Sequence, residues 1–230
     1  MRIIQKKKGN KEYYYLQHSF RKGRKVITKE KYIGVELPKN IDEIKGEFSR
    51  ELKKELYGRL ERIRDNFQEE WKKLPKSVQE KEKEEIAIAF TYNSNAIEGS
   101  KITLEEVRGI IHEGIAPNKP IKDIKETESH SKVFLEMLNK KEKITDKLFL
   151  KWHQEIFWGT KPDISGKYRY YGVRVGSYIA PDWKEVKPTM KRIIEFANNS
   201  KLNPVELAIR VHYKFEMIHP FGDGNGRIGR

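Results

Sequence analysis

His219-Pro-Phe-Gly-Asp-Gly-Asn-Gly-Arg-Ile-Gly-Arg230 decides how this chain is read. Glycines at 222, 224 and 226 let backbone N–H groups converge on an anion, and Arg227 and Arg230, three apart, share one side of any helix beginning there. Such a loop is a polyphosphate cradle. Two other readings fail on context. Gly224-Asn-Gly-Arg-Ile-Gly229 satisfies G-x-G-x-x-G, but it follows a helical pattern instead of a strand and lacks the acidic residue about 20 positions on. Glu216-Met-Ile-His219 matches one Glu-x-x-His unit of di-iron bundles, and the second unit such a site needs is absent from the sequence.

Outward from that loop, an apolar helix is predicted over 204–218, and further helices at about 186–198, 146–158 and 121–138. Thr103-Leu-Glu-Glu106 is a capping box opening a helix that closes near Gly114. Ile86, Ala87, Ala89, Phe90, Ala96 and Ile97 define a helix from Pro75 to about 97, with Gly99 as its stop. In 166–180, Val, Tyr and Ile alternate with Arg and Gly as in a short exposed hairpin. Farther out, Phe48, Leu52, Leu56, Leu60, Ile63, Phe67 and Trp71 stripe a charged helix over about 42–72, suited to packing on the body or on an antiparallel partner. Residues 12–17 and 25–33 form a hairpin about Lys22-Gly23-Arg24. The fold class is therefore mainly α, with a basic N-terminal β-hairpin over 1–40, a charged helical region over 41–84 and a helical domain over 85–230.

The composition bounds what this architecture can do. Charged residues make up 36% of the 230 and hydrophobic ones 37%, against about 25% charged in an average soluble protein, so the surface is unusually ionic. No run approaches the ~18 apolar residues of a membrane span, and the amino terminus lacks the apolar core of a signal peptide. The absence of cysteine excludes disulfides and thiolate chemistry and fits a cytoplasmic protein. Net charge is +14, and residues 1–40 hold twelve Lys or Arg against three Glu, a net +9. That segment faces nucleic acid or another anion, or else its lysines only protect a sheet edge.

The loop resembles the signature of the Fic family, HPFx(D/E)GNGRxxR, at every defined position, and the resemblance extends over about 85–230, with 166–169 and 173–179 similar to that family's target-docking flap. Ser94-Asn-Ala-Ile-Glu98-Gly99 resembles its inhibitory pattern as well: Ser or Thr, three residues, Glu, then Gly or Asn. A carboxylate in the last turn of a helix faces the negative end of the macrodipole and calls for a cation. The resemblance makes Arg230 that cation. It implies a Fic-type helical bundle with a small β-hairpin flap, and a protein adenylyltransferase moving AMP from ATP to a Tyr, Ser or Thr hydroxyl. His219 is then the general base and Asp223 the Mg²⁺ ligand. Asn225 and the amides of Gly224 and Gly226 form an anion hole, Arg227 and Arg230 hold the phosphates, and Glu98 with Ser94 is inhibitory. Family members that transfer a phosphate carry Lys in place of Gly226, so an intact GNGR string implies adenylyl transfer.

Other expectations are plainer. Phe221 anchors the loop, His212 is a hydrogen-bonded core histidine, and His18, His112, His130 and His153 have no partners at ligand spacing. The target docks at 172–180, no membrane is involved, and a homo-oligomer is left open. Because the chain stops one turn into the helix after the loop, 227–230 are expected to be frayed or held only by Glu98, as in a truncated product. The rival reading is a basic nucleic-acid-binding or regulatory protein whose Fic-like body is vestigial.

Overall fold

The computed structural model describes residues 1–140 and 142–230, the side chain of Lys22 excepted. The chain forms two compact units, Met1–Lys73 and Leu74–Arg230. The division lies after Lys73 because Pro75 separates two helices, whereas the expected 84/85 boundary falls within a single helix, Lys76–Ile97.

In the first unit, β1 (Arg2–Lys8), β2 (Lys11–Lys22) and β3 (Lys25–Gly34) form an antiparallel sheet in the order β1-β2-β3. The expected hairpin thus gains a strand. Lysines at 6, 7 and 8 hide its period-two pattern, but Gly9, at φ 63°, supplies the turn that folds it onto β2. Leu16 is fully buried, and Lys31, opposite it in the ladder, reaches Glu47 and Glu51 of α1 (Ile41–Lys73) at 3.9 and 3.8 Å. One sheet face therefore lies against α1, which buries Phe48. Farther along α1, Leu56, Ile63 and Phe67 stay more than half exposed.

The second unit is helical: α2 (Lys76–Ile97), α3 (Leu104–Arg108), α4 (Ile121–Asn139), α5 (Asp146–Phe157), α6 (Val186–Asn199), α7 (Pro204–Ile218) and α8 (Asn225–Gly229). Most termini are chemically marked. Thr103 makes the capping box with Glu106, Thr145 caps α5, and Asn203 with Pro204 opens α7. The core joins α4 to α8 through Val133, Phe149, Phe157, Met190, Phe215 and Ile228. Three local expectations change. The helix from Thr103 widens into a π turn at Gly109–Glu113 before Gly114 ends it at φ 65°. The 166–180 hairpin shrinks to β4 (Arg174–Val175) and β5 (Tyr178–Ile179), since the chain before it is tied down by Arg169, described below. Residues 227–230 are not frayed: Ile228 is buried, and the Arg230 N–H donates to the Gly226 carbonyl at 3.1 Å.

Candidate active site

The site begins where α7 stops. His219 is the C-cap of α7 and, among the described residues, the one non-glycine with positive φ, at 50°. That conformation is costly for a side chain bearing a Cβ and turns the chain sharply out of the helix. The His219 side chain is 20% exposed, and its Nδ1 is buried without a hydrogen-bond partner, 3.9 Å from the Glu216 carboxylate. An imidazole with an uncommitted nitrogen offers a site that can accept a proton.

Three supports fix the loop that follows. Arg169, 4% exposed, donates from Nε to the His219 carbonyl (2.8 Å), from Nη1 to that of Tyr171 (2.8 Å), and from Nη2 to those of Pro181 (2.7 Å) and Ile218 (3.2 Å). Its backbone N–H donates to the Pro220 carbonyl at 2.9 Å. Burial lowers the Arg169 pKa, and one guanidinium ties both ends of the flap to the start of the loop. His153 is the second support. Its Nδ1 accepts from Gly166 N–H at 3.0 Å, which leaves the proton on Nε2 to donate to the Asp223 carbonyl at 3.0 Å. Burial pushes the His153 pKa down to about 4, so the ring stays neutral, stacked on Phe221 at 3.9 Å. Asn225 is the third support, its Oδ1 accepting from Phe221 N–H (2.8 Å) and its Nδ2 donating to the Phe221 carbonyl (2.9 Å). Its side-chain amide thus clasps the loop, with one acceptor and one donor position engaged by Phe221.

Glycines mark the tight places. At Gly224, φ is 79° and a Cβ would enter the Phe157 ring. A Cβ on Gly226 would strike the Glu98 carboxylate, and one on Gly222 the Tyr171 hydroxyl.

The charged groups meet around a polar cavity of about 190 Å³ lined by Glu98, Lys122, Glu126, Lys161, Asp223 and Arg227, with Asn95 and Thr127 beside them. Arg227, only 8% exposed, pairs with Glu126 and lies 3.6 Å from Asp223 Oδ1. Lys161 Nζ lies 2.8 Å from Glu126 Oε1 and 2.7 Å from Asp223 Oδ2, and both cations sit over the Phe157 ring, at 4.8 Å for Lys161 and 4.5 Å for Arg227. Burial alone would raise the pKa of Glu126 and of Asp223. Their partners together outweigh it, Lys161 with Arg227 and Thr160 at Glu126, and Lys161 with the Gly224 N–H and Arg227 at Asp223, so both carboxyls lie below their ordinary range.

On the far side, Glu98 ends α2 and accepts from Arg230 Nη2 at 2.7 Å, while Ser94 accepts from Arg230 through its hydroxyl and its carbonyl, each at 3.0 Å. The last residue is therefore clasped by two residues of α2. His212 accordingly lies in hydrogen-bond contact with the Gly229 carbonyl, at 2.8 Å.

Of the residues singled out in the sequence, Glu98, Asp223 and Arg227 line this cavity, Arg230 is joined to Glu98 and Ser94, and His219 is not among the lining residues. Sequence reasoning missed Glu126, Lys161, His153 and the full part played by Arg169, whose partners in the loop and α8 lie 50 to 101 residues away. Glu126 sits in Lys-Glu-Thr-Glu, a run that reads as a solvated helix face. The donor set fits Mg²⁺: Asp223 is a half-exposed carboxylate at the cavity, and Mg²⁺ often binds through one or two carboxylates, with water or substrate phosphates completing its shell.

Comparison with known proteins agrees with the geometry. Residues 143–230 match the Fic/DOC family. A protein adenylyltransferase Fic of Nematostella vectensis is 33% identical over 147 residues, 60% of this chain and 34% of that protein. One from Drosophila willistoni is 31% identical over 160 residues, 64% of this chain and 31% of that protein. The chain therefore spans about a third of the length of these relatives. Among solved structures, Fic-1 (residues 134–508) from C. elegans superposes with a TM-score of 0.64 at 24% identity, covering 79% of this chain and 55% of the other. A Fic domain containing signaling protein from Bacteroides thetaiotaomicron gives 0.61 at 26% identity, covering 72% and 68%.

Proposed function

We propose that this chain, whose residues 143–230 match the Fic/DOC family, is a protein adenylyltransferase that moves AMP from ATP to a Tyr, Ser or Thr hydroxyl of a target protein. The observation that carries this reading is the meeting of Glu98, Asp223 and Arg227 around one polar cavity, with Arg230 bound to Glu98 and His219 at the start of the same loop. His219 takes the proton of the attacking hydroxyl, whose oxygen bonds to the α phosphorus as the bridge to the β phosphate breaks and pyrophosphate leaves. Arg227 and the α8 amides face the α and β phosphates and Arg230 the γ phosphate, which stabilises the charge moving onto the leaving group. Asp223 would hold Mg²⁺ on the phosphates, where the ion neutralises their charge. Glu98 and Ser94 restrain the reaction by engaging Arg230. The target docks along 172–180, where Val175 and Ile179 are exposed beside Arg174. The lack of cysteine supports a cytoplasmic setting, and among the described residues no helix is long and apolar enough to cross a membrane.

The test is transfer from α-labelled ATP into protein, parent against His219→Ala. The variant should lose transfer while binding ATP nearly as before, because the phosphates are held by arginines and amides. Full transfer by the variant would remove His219 from the chemistry.

A second reading has its own observation. On the sheet face opposite Lys31, Tyr15 and Tyr13 pack against Tyr32, with centroids 5.4 and 6.2 Å apart, and Lys6 lies over Tyr15 at 5.0 Å. Aromatic rings among lysines suit a single-stranded nucleic acid. Binding that falls steeply with salt and is lost in Tyr15→Ala and Tyr32→Ala would favour it.

A further inference from the structure

Lys161 lies outside the glycine-rich loop, yet its ammonium occupies one oxygen of the loop's carboxylate. The turn after α5 holds it there: the Lys161 N–H donates to the Phe157 carbonyl at 2.7 Å, and the side chain, 15% exposed, crosses the Phe157 ring. The two oxygens of Asp223 are divided between different partners. Oδ1 takes the Gly224 N–H at 2.6 Å and Arg227 at 3.6 Å, while Oδ2 takes Lys161 at 2.7 Å. Asp223 is therefore oriented through Oδ1 without help from Lys161, and Oδ2 is the oxygen left for an exchangeable cation. Glu126, the other partner of Lys161, keeps Arg227 and the Thr160 hydroxyl (2.8 Å) if the ammonium moves.

From this division of partners we propose that Lys161 is a resident cation competing with a divalent metal for Asp223 Oδ2, and so sets the metal concentration at which the site loads. The inference rests on the reading of Asp223 as the metal-facing carboxylate. A metal bound at about 2.0–2.1 Å to Oδ2 would lie within a few ångströms of an ammonium on the same oxygen, and two cations that close repel strongly even under solvent screening. One must leave. Lys161 can do so cheaply, since its flexible stem lets the ammonium withdraw to Glu126, which it already touches. A purely structural Lys161, a pillar holding Asp223 in place, predicts the opposite sign, because its removal would loosen the carboxylate and weaken metal binding.

The experiment titrates the full chain with Mn²⁺, followed by its electron paramagnetic resonance signal, without nucleotide or target. Lys161→Met keeps the stem over Phe157 and removes the charge. It should bind Mn²⁺ about fivefold more tightly than the parent, the equivalent of about 1 kcal/mol. Lys161→Arg, which retains a cation, should bind like the parent, and Lys161→Met with Asp223→Asn should lose the gain. Unchanged or weaker binding by Lys161→Met, or a gain that survives Asp223→Asn, overturns the proposal. Lys161→Gln is read in the same way if the Met variant melts below the parent. Since the titration contains no ATP, a protein that transfers no AMP would refute the proposed activity and leave this result standing.

Discussion

Removing the Glu98 carboxylate should raise transfer, and the gain can be estimated from geometry. Glu98 Oε1 lies 2.7 Å from Arg230 Nη2, with side-chain exposures of 36% and 20%. Two unit charges about 4 Å apart at an effective dielectric near 20 attract by about 4 kcal/mol. Glu98 is more than a third exposed, so screening reduces the usable part to about 1 kcal/mol, roughly fivefold in an equilibrium. Glu98→Gln, which removes the charge and keeps the volume, should therefore raise the initial rate at low ATP by about that factor. Glu98→Gly also clears the space against Gly226, where the carboxylate sits so close that even a Cβ would not fit. The space beside Gly226 is then open and Arg230 keeps only Ser94, so the gain should exceed tenfold, about 1.4 kcal/mol. The assay compares initial rates of α-labelled AMP incorporation at low and saturating ATP, with ATP affinity measured by calorimetry. The expected order is Gly above Gln above parent. A Gly variant equal to or slower than the parent refutes the inhibitory role. Equal gains for Gln and Gly would assign the effect to charge alone and refute the steric part of the reasoning.

Two further outcomes follow from the loop and its supports. Gly224→Ala combines a φ of 79° with a Cβ inside the Phe157 ring, so it should destabilise the second unit by about 2–4 kcal/mol in urea unfolding, and a loss below about 0.5 kcal/mol would contradict the packing described. His130 and His153 are held neutral by burial, each with its pKa lowered to about 4, so the unfolded chain takes up these protons first as the pH falls below about 6.5. Their contribution is complete above that pH and is withdrawn between about 6.5 and 4, at roughly 1.4 kcal/mol per histidine per pH decade. An unfolding midpoint unchanged between pH 7.5 and pH 5 would contradict their burial.

The parts legible in the sequence were those whose signals are local. Asn203-Pro204 and the apolar spacing through Ile218 mark both ends of α7, and Thr103 with Glu106 marks the start of α3. The motif residues could be read together because twelve positions hold them. Their supports could not, because each meets the loop across the fold: Glu126 reaches Arg227 over 101 residues and His153 reaches Asp223 over 70. No local spacing separates a buried Glu126 from the solvated Glu128 two residues on. Asn225 makes a different point, since the sequence singles it out without showing that its amide also clasps both the N–H and the carbonyl of Phe221. The supports share a physical logic. Arg169 and His153 bind backbone carbonyls, so neither needs a nucleotide to be satisfied, and Arg227 binds a buried carboxylate. Neutral acceptors and a buried pair hold the loop's geometry before any phosphate arrives, which lowers the ordering cost of binding. The groups left for the substrate to reorganise are those whose pairings are partly exposed: Lys161 on Asp223, and Arg230 on Glu98. Control of this site should therefore act through those two exchangeable cations, while substitutions at the carbonyl-bound supports should cost stability and activity together.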